Sequence, residues 1–238
     1  MAKEQTLKFS KGNRKLHALA EYLGMPKSHV VSFDLPAGWS CPFADVCLSK
    51  ADKITGKITD GENCQYRCYA ASIESAFTNT RKAHWYNYNL LTSPDGDKRK
   101  CKPVYKIVKL INASLPKTAE VVRIHSSGDY FHPNYFNAWV QVASMHPEII
   151  FFGYTKGLQY VKADKPENFK LVYSWGGKLD SKVTSDIPVV YVVKSIEAGI
   201  KQGLSLPCEL ASAGDYFTIL NQVSFGIVIH GTQPANKA

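Results

Sequence analysis

Six short runs of β-branched and aromatic residues punctuate the chain, at 29–34, 121–125, 149–156, 171–174, 188–194 and 225–230, each ending in a polar residue. Runs that are apolar on both faces suit the strands of a parallel sheet covered by helices. Between them lie stretches of helical character at 13–23, 67–90, 102–113, 133–143, 196–202 and 215–221, with Pro133 placed as a first-turn residue. Strand and helix alternating over 1–238 predict a single α/β domain. The expected architecture is a partial or irregular (β/α) TIM-like barrel with about six mostly parallel strands. An open doubly wound sheet is the alternative, because periodicity does not distinguish closure from an open edge.

Directly after the first run, a Pro/Gly-rich loop carries Cys41 and Cys47, and Cys64 and Cys68 follow, a C-x5-C-x16-C-x3-C spacing within 36–70. Cys64 and Cys68 are four apart where a helix is expected to begin, so both thiols can face one point and the helix N-terminus favours thiolates. Four thiolates suit an iron–sulfur cluster, expected as [4Fe-4S], whose ligand spacings vary and which often has Cys-Pro beside a ligand. Zn2+ is the alternative, although zinc ribbons present C-x2-C knuckles and neither pair here has that spacing. In parallel α/β folds, sites collect at the carboxyl ends of strands, where this loop falls. Cys101 and Cys208 have no partner nearby in sequence and read as small buried hydrophobes.

Other strand ends are polar as well. Period two sets Arg123 and His125 on one face of their strand, and Lys156, Lys194 and His230 end three others, so these groups are expected to converge on one mouth. Buried cations need an anionic partner: the cluster, an anionic substrate, or carboxylates such as Asp34, Asp129 and Asp215. From Arg123 to Phe131 the chain offers a base (His125), hydroxyls (Ser126, Ser127), a carboxylate (Asp129) and a turn at Gly128. Ester cleavage using His125 with Ser126 or Asp129, beside Lys156 and His230, is the most concrete reaction available. The bland reading is that Asp129 and Ser126 cap the helix near Pro133. Ser212 to Phe217 repeats the Ser-x-Gly-Asp-Tyr-Phe pattern, which a shared turn explains. Trp85 and Trp139 read as core, and Trp175 to Lys178 could line the mouth.

Composition changes this picture little. An apolar fraction of 45% and a charged fraction of 21% are ordinary for a globular chain. No apolar run approaches the ~18 residues that span a bilayer, and the charged N-terminus lacks the apolar middle of a secretory signal. The expected location is cytoplasmic, where six cysteines stay reduced rather than form disulfides. The formal charge of +9 gathers at Lys3, Lys8, Lys11, Arg14, Lys15 and Lys27, and again at Lys98, Arg99, Lys100 and Lys102. This basic surface could bind nucleic acid, although a solvated face explains it too and no aromatic residue interleaves the second group.

Ser40, Cys41 and Pro42 with Cys47, then Tyr66 to Ala70, Arg123 to Asp129, Tyr154 to Lys156, and His230 with Gly231 together resemble the phage-encoded gene-product-eighty-eight family. The resemblance covers most of the chain. It implies a protein made in the cytoplasm of an infected bacterial host, with an iron–sulfur cluster of poorly defined purpose. A more distant architectural likeness is to radical SAM barrels, from which the chain departs by lacking their C-x3-C-x2-C spacing and by having a fourth cysteine. A non-catalytic cluster protein that binds nucleic acid or a host protein is the competing expectation.

Overall fold

Residues 5–92, 101–204, 216, 222–229 and 233–234 are described by a computed structural model. All six apolar runs form strands: β2 (Val30–Phe33), β5 (Val121–Ile124), β6 (Ile150–Thr155), β7 (Phe169–Ser174), β8 (Val189–Val193) and β9 (Phe225–Val228). They pair in parallel and in chain order, while β1 (Phe9–Ser10) adds antiparallel to β2 at the sheet's edge, giving the order β1-β2-β5-β6-β7-β8-β9. The order never reverses, as it does at the switch point of a doubly wound sheet. Among the described residues no pairing joins β9 to β1 or β2, so the sheet is not closed.

Period two divides the side chains between two faces. Val31, Phe33, Val122, Ile124, Phe151, Phe169 and Leu171 form the main core with the helices. Those helices include α3 (Thr78–Leu91), α4 (Val104–Ser114) and α5 (Pro133–Met145). On the opposite face, α1 (Arg14–Tyr22) lays Leu16, Leu19 and Ala20 against Val30, Val121 and Phe152. Asn13 starts α1 by accepting from the backbone of Lys15 (3.0 Å) and Leu16 (3.2 Å). Two further short helices, α6 (Leu158–Lys162) and α7 (Ile196–Lys201), follow β6 and β8.

The helix expected over 67–90 is two helices, α2 (Tyr69–Ala76) and α3, broken at Phe77. The break is held by Arg81, whose guanidinium turns back to the carbonyls of Glu74 and Ser75 at the end of α2 and also reaches those of Lys53 and Ile54. These are the carbonyls a continuous helix would have satisfied itself. Between the cysteine pairs lies a hairpin, β3 (Ser49–Ala51) with β4 (Ile58–Asp60), its turn tied by Asp52 to Ile54 and Thr55. Of the expected helix at 215–221 only Tyr216 is described. No described helix is long and apolar enough to cross a membrane.

Candidate functional site

The loop after β2 delivers Cys41 and Cys47, the segment after β4 delivers Cys64, and Cys68 caps α2. Cys64 stands outside the helix, in a turn closed by its N–H onto the Gly61 carbonyl (3.1 Å), so the expected placement of both thiols on one helical turn is corrected. Each of the four thiols nevertheless lies within electrostatic reach of at least one other. Cys41 is within electrostatic reach of Cys68, Cys47 and Asp129, and Cys47 of Cys64 and Lys156. Ser49 ties the second pair together: its hydroxyl accepts from the Cys68 N–H (3.2 Å) and lies 3.6 Å from the Cys64 sulfur.

Burial pushes the Cys41 and Cys47 thiols up, and that of Cys68 to about 12. N–H groups oppose this. The Gly38 N–H points at the Cys41 sulfur (3.3 Å), and those of Ala71 and Ala70, at the start of α2, pull Cys68 down. The Lys156 ammonium does the same for Cys47. Such thiols stay protonated when alone, whereas a bound cation or cluster, aided by these donors, would hold them as thiolates. Among the described residues, no three His, Cys, Asp or Glu side chains are grouped as a site for a single metal ion.

A strap from the end of β7 covers the cysteine loop. The Gly176 carbonyl accepts from Asp45 (3.3 Å) and Val46 (3.2 Å), and the Lys178 N–H donates to Phe43 (2.9 Å). Asp180 shapes the strap by accepting from the N–H groups of Gly176 (2.9 Å) and Gly177 (3.0 Å) and from the Tyr173 hydroxyl (2.8 Å). Gly176 needs its positive φ of 95° and its missing side chain, since a Cβ there would lie 2.4 Å from Val46. Trp175 is partly exposed and rests on Tyr191. Arg67 clamps the opposite side through Asp60 (2.9 Å) and exchanges hydrogen bonds with Gln233. Neither Asp180 nor Gln233 stood out in the sequence, because each acts through backbone groups, local ones for Asp180 and those of distant Arg67 for Gln233.

The other expected residues separate. Lys156 is buried and donates to the carbonyls of Ser174 (3.1 Å) and Trp175 (2.5 Å), while its N–H donates to Asp129 (2.9 Å). Asp129, raised by burial, also accepts from Thr155 (2.6 Å) and Tyr130 (2.7 Å), and it caps no helix. The cap of α5 is His132, which accepts from Asn134 (3.0 Å). Lys194 is exposed at the end of β8 and does not join the mouth. Arg123 lies with its guanidinium 5.5 Å from the Tyr154 ring centre. Cys101 is half-buried against the core, Trp85 and Trp139 lie within it, and burial pushes the Cys101 thiol to about 12. Cys208, Asp215 and His230, most of the Ser212 to Phe217 segment, and the cations Lys3 and Lys98 to Lys100 lie outside the described residues. Of the remaining cations, Lys8 lies over the Tyr86 ring and Lys27 pairs with Glu21 (2.7 Å).

His125 corrects the strand-face expectation. Its φ of 72° breaks the period, so its ring turns to the helix side, touching Tyr130 and Tyr135 and bonding the Tyr135 hydroxyl (2.9 Å). Burial lowers it to about 3. A base depressed in the folded state contributes stability that is whole above its unfolded value of about 6.5 and is lost as pH falls toward about 3. Chemical denaturation is therefore expected to show this group costing about 2 kcal/mol between pH 7 and pH 5. His125→Asn, which tolerates the left-handed backbone, should flatten that slope.

Fold and site together define a mixed α/β protein whose mostly parallel sheet carries a four-cysteine loop at its carboxyl end. The chain belongs to the gene product 88 family, whose model matches residues 7–234. It is similar to the Gene 88 protein of Mycobacterium phage L5, at 23% identity over 169 residues, covering 69% of this chain and 61% of the relative. To the Gene 88 protein of Mycobacterium phage D29 it is 24% identical over 177 residues, covering 69% and 60%. The chain thus spans about six tenths of the length of these relatives. No solved structure matches it.

Proposed function

We propose that this chain is a phage-encoded iron–sulfur protein, acting in the infected cell, that holds a [4Fe-4S] cluster on Cys41, Cys47, Cys64 and Cys68 at the mouth of a partial (β/α) barrel. The observation that carries the reading is that four thiols, from separate turns of the chain, lie within electrostatic reach of one another where backbone N–H groups and the Lys156 ammonium collect. A cluster with four thiolates carries net negative charge, and a buried negative charge needs donors of this kind. Gly38, Ala70 and Ala71 would donate to the sulfurs, Lys156 would offset charge beside Cys47, and the strap from Trp175 to Lys178 would keep water from that side. Bound there, the cluster supplies one-electron transfer. With a thiolate for each iron, it leaves no open iron for S-adenosylmethionine.

Zinc is less well served. Zinc ribbons present C-x2-C knuckles, and neither cysteine pair here has that spacing. Ester hydrolysis through His125 also finds less support, since that ring is committed to Tyr135 and burial makes it a weak base. Purification without oxygen is expected to give a brown protein with broad absorption near ~400 nm and with matching iron and acid-labile sulfide. Stoichiometric zinc without sulfide would overturn the reading.

A further inference from the structure

A cavity of about 730 Å³ opens between the end of β2, the start of α2 and one face of α3. Asp34, Ser126, Ser127 and His84 give it a polar wall, and Ile73 and Ala83 contribute apolar surface. None of the four cysteines lines it, although Tyr69 and Ala70, which follow Cys68, do.

His84 is held from behind. Its Nδ1 lies 2.7 Å from Glu74 Oε1, and Glu74 is fully buried. The same carboxylate oxygen accepts from the Ala37 N–H (2.9 Å) and the Ser127 hydroxyl (2.9 Å). A carboxylate only accepts, so Nδ1 carries the proton and Nε2 becomes the exchanging atom of the ring. Nε2 has no partner among the described residues, and His84 borders the cavity. The charged groups around the ring are Glu74, Asp34 across the cavity, Arg81 on the Glu74 carbonyl, and Lys8, whose ammonium lies over Tyr86. Both cations are thus engaged elsewhere, and two carboxylates disfavour an anionic ligand. Ser126 Oγ, on the same wall, is buried without a hydrogen bond, which costs free energy until something fills it.

We propose that this cavity is a small-molecule site in which His84, oriented by Glu74, is the acid–base group. Its ligand is an uncharged organic molecule with an apolar body and a hydroxyl head. The ligand hydroxyl donates to His84 Nε2 and accepts from Ser126 Oγ. A site built around a hydroxyl discriminates strongly against an analogue that cannot donate.

The test uses the full chain with 4-methylphenol and cyclohexanol as probes, each compared with its methyl ether by ligand-observed NMR titration. Each alcohol should bind at least ~10-fold tighter than its ether, and His84→Gln should bring the two within about twofold. Nitrogen-15 spectra of labelled histidine should place the His84 proton on Nδ1 in the parent protein, and Glu74→Gln should move those signals. Equal binding of alcohol and ether, no binding of either, or a proton held only on Nε2 would overturn the proposal. The alcohol-to-ether ratio and the tautomer are read on the unmutated protein, so a variant that fails to fold does not shelter it.

Discussion

Cys47→Ser should reduce iron and acid-labile sulfide to background and lower the melting temperature, while Cys101→Ser should keep both iron and sulfide. The contrast follows from position. Cys47 is central to the four, within reach of Cys64 and of the Lys156 ammonium, and burial already holds its thiol above the ordinary range. The hydroxyl of serine is a much poorer ligand than a thiolate to the iron of such a cluster. Without the proposed cluster, the segment from Cys41 to Cys68 is held by its own hydrogen bonds, the strap from β7, and the contacts of Arg81 and Gln233. Because metal binding is folding free energy, the loss is expected to be about 3 kcal/mol or more, or roughly 6–12 °C for a chain of this size. Cys101 instead packs against the main core, its sulfur 3.7 Å from the Leu91 carbonyl. Serine variants at Cys41, Cys64 and Cys68 should behave like Cys47→Ser. If the alanine variant at one of them retained iron, full thiolate ligation would be wrong and one iron would be open for substrate.

The sheet was legible because its signal is repeated: six runs apolar on both faces yield six parallel strands, within two residues at each end. What escaped was short or depended on distant partners. Two-residue β1 has no periodicity to read, and the β3–β4 hairpin hides in a polar stretch between the cysteine pairs. The break at Phe77 is invisible locally because its reason is Arg81, whose guanidinium takes up the last carbonyls of α2. Period two also fails at a strand's last residue. Arg123 and His125 belong on one face only if the backbone stays extended, and the positive φ at His125 sends its ring into an aromatic core. The cysteines could be picked out by residue type and spacing. Glu74 and His84 could not, because they lie ten residues apart on two helices and their meeting depends on the turn at Phe77.

That dependence of the cysteine loop on backbone detail sets up a paired test at two glycines. Gly38 and Gly24 have nearly the same left-handed backbone, φ of 69° and 67°, so alanine carries a similar conformational cost at each, about 1–2 kcal/mol. They differ in what a Cβ would meet. At Gly24 nothing lies within 4 Å, whereas at Gly38 it would sit 2.4 Å from the Ser49 carbonyl oxygen and 2.7 Å from Lys50 Cγ. The lysine stem can swing away, but the carbonyl belongs to β3 and cannot retreat without moving the hairpin whose Ser49 hydroxyl bridges Cys64 and Cys68. Overpacking of this kind adds about 1–3 kcal/mol. Gly24→Ala is therefore expected to lower the melting temperature by roughly 2–8 °C and Gly38→Ala by roughly twice that or more. Gly38→Ala should also reduce iron content, because the Gly38 N–H that points at the Cys41 sulfur moves with the backbone. Equal melting shifts for the two variants, or full iron in Gly38→Ala, would show that the close packing of the cysteine loop onto β3 is not what holds the four thiols together.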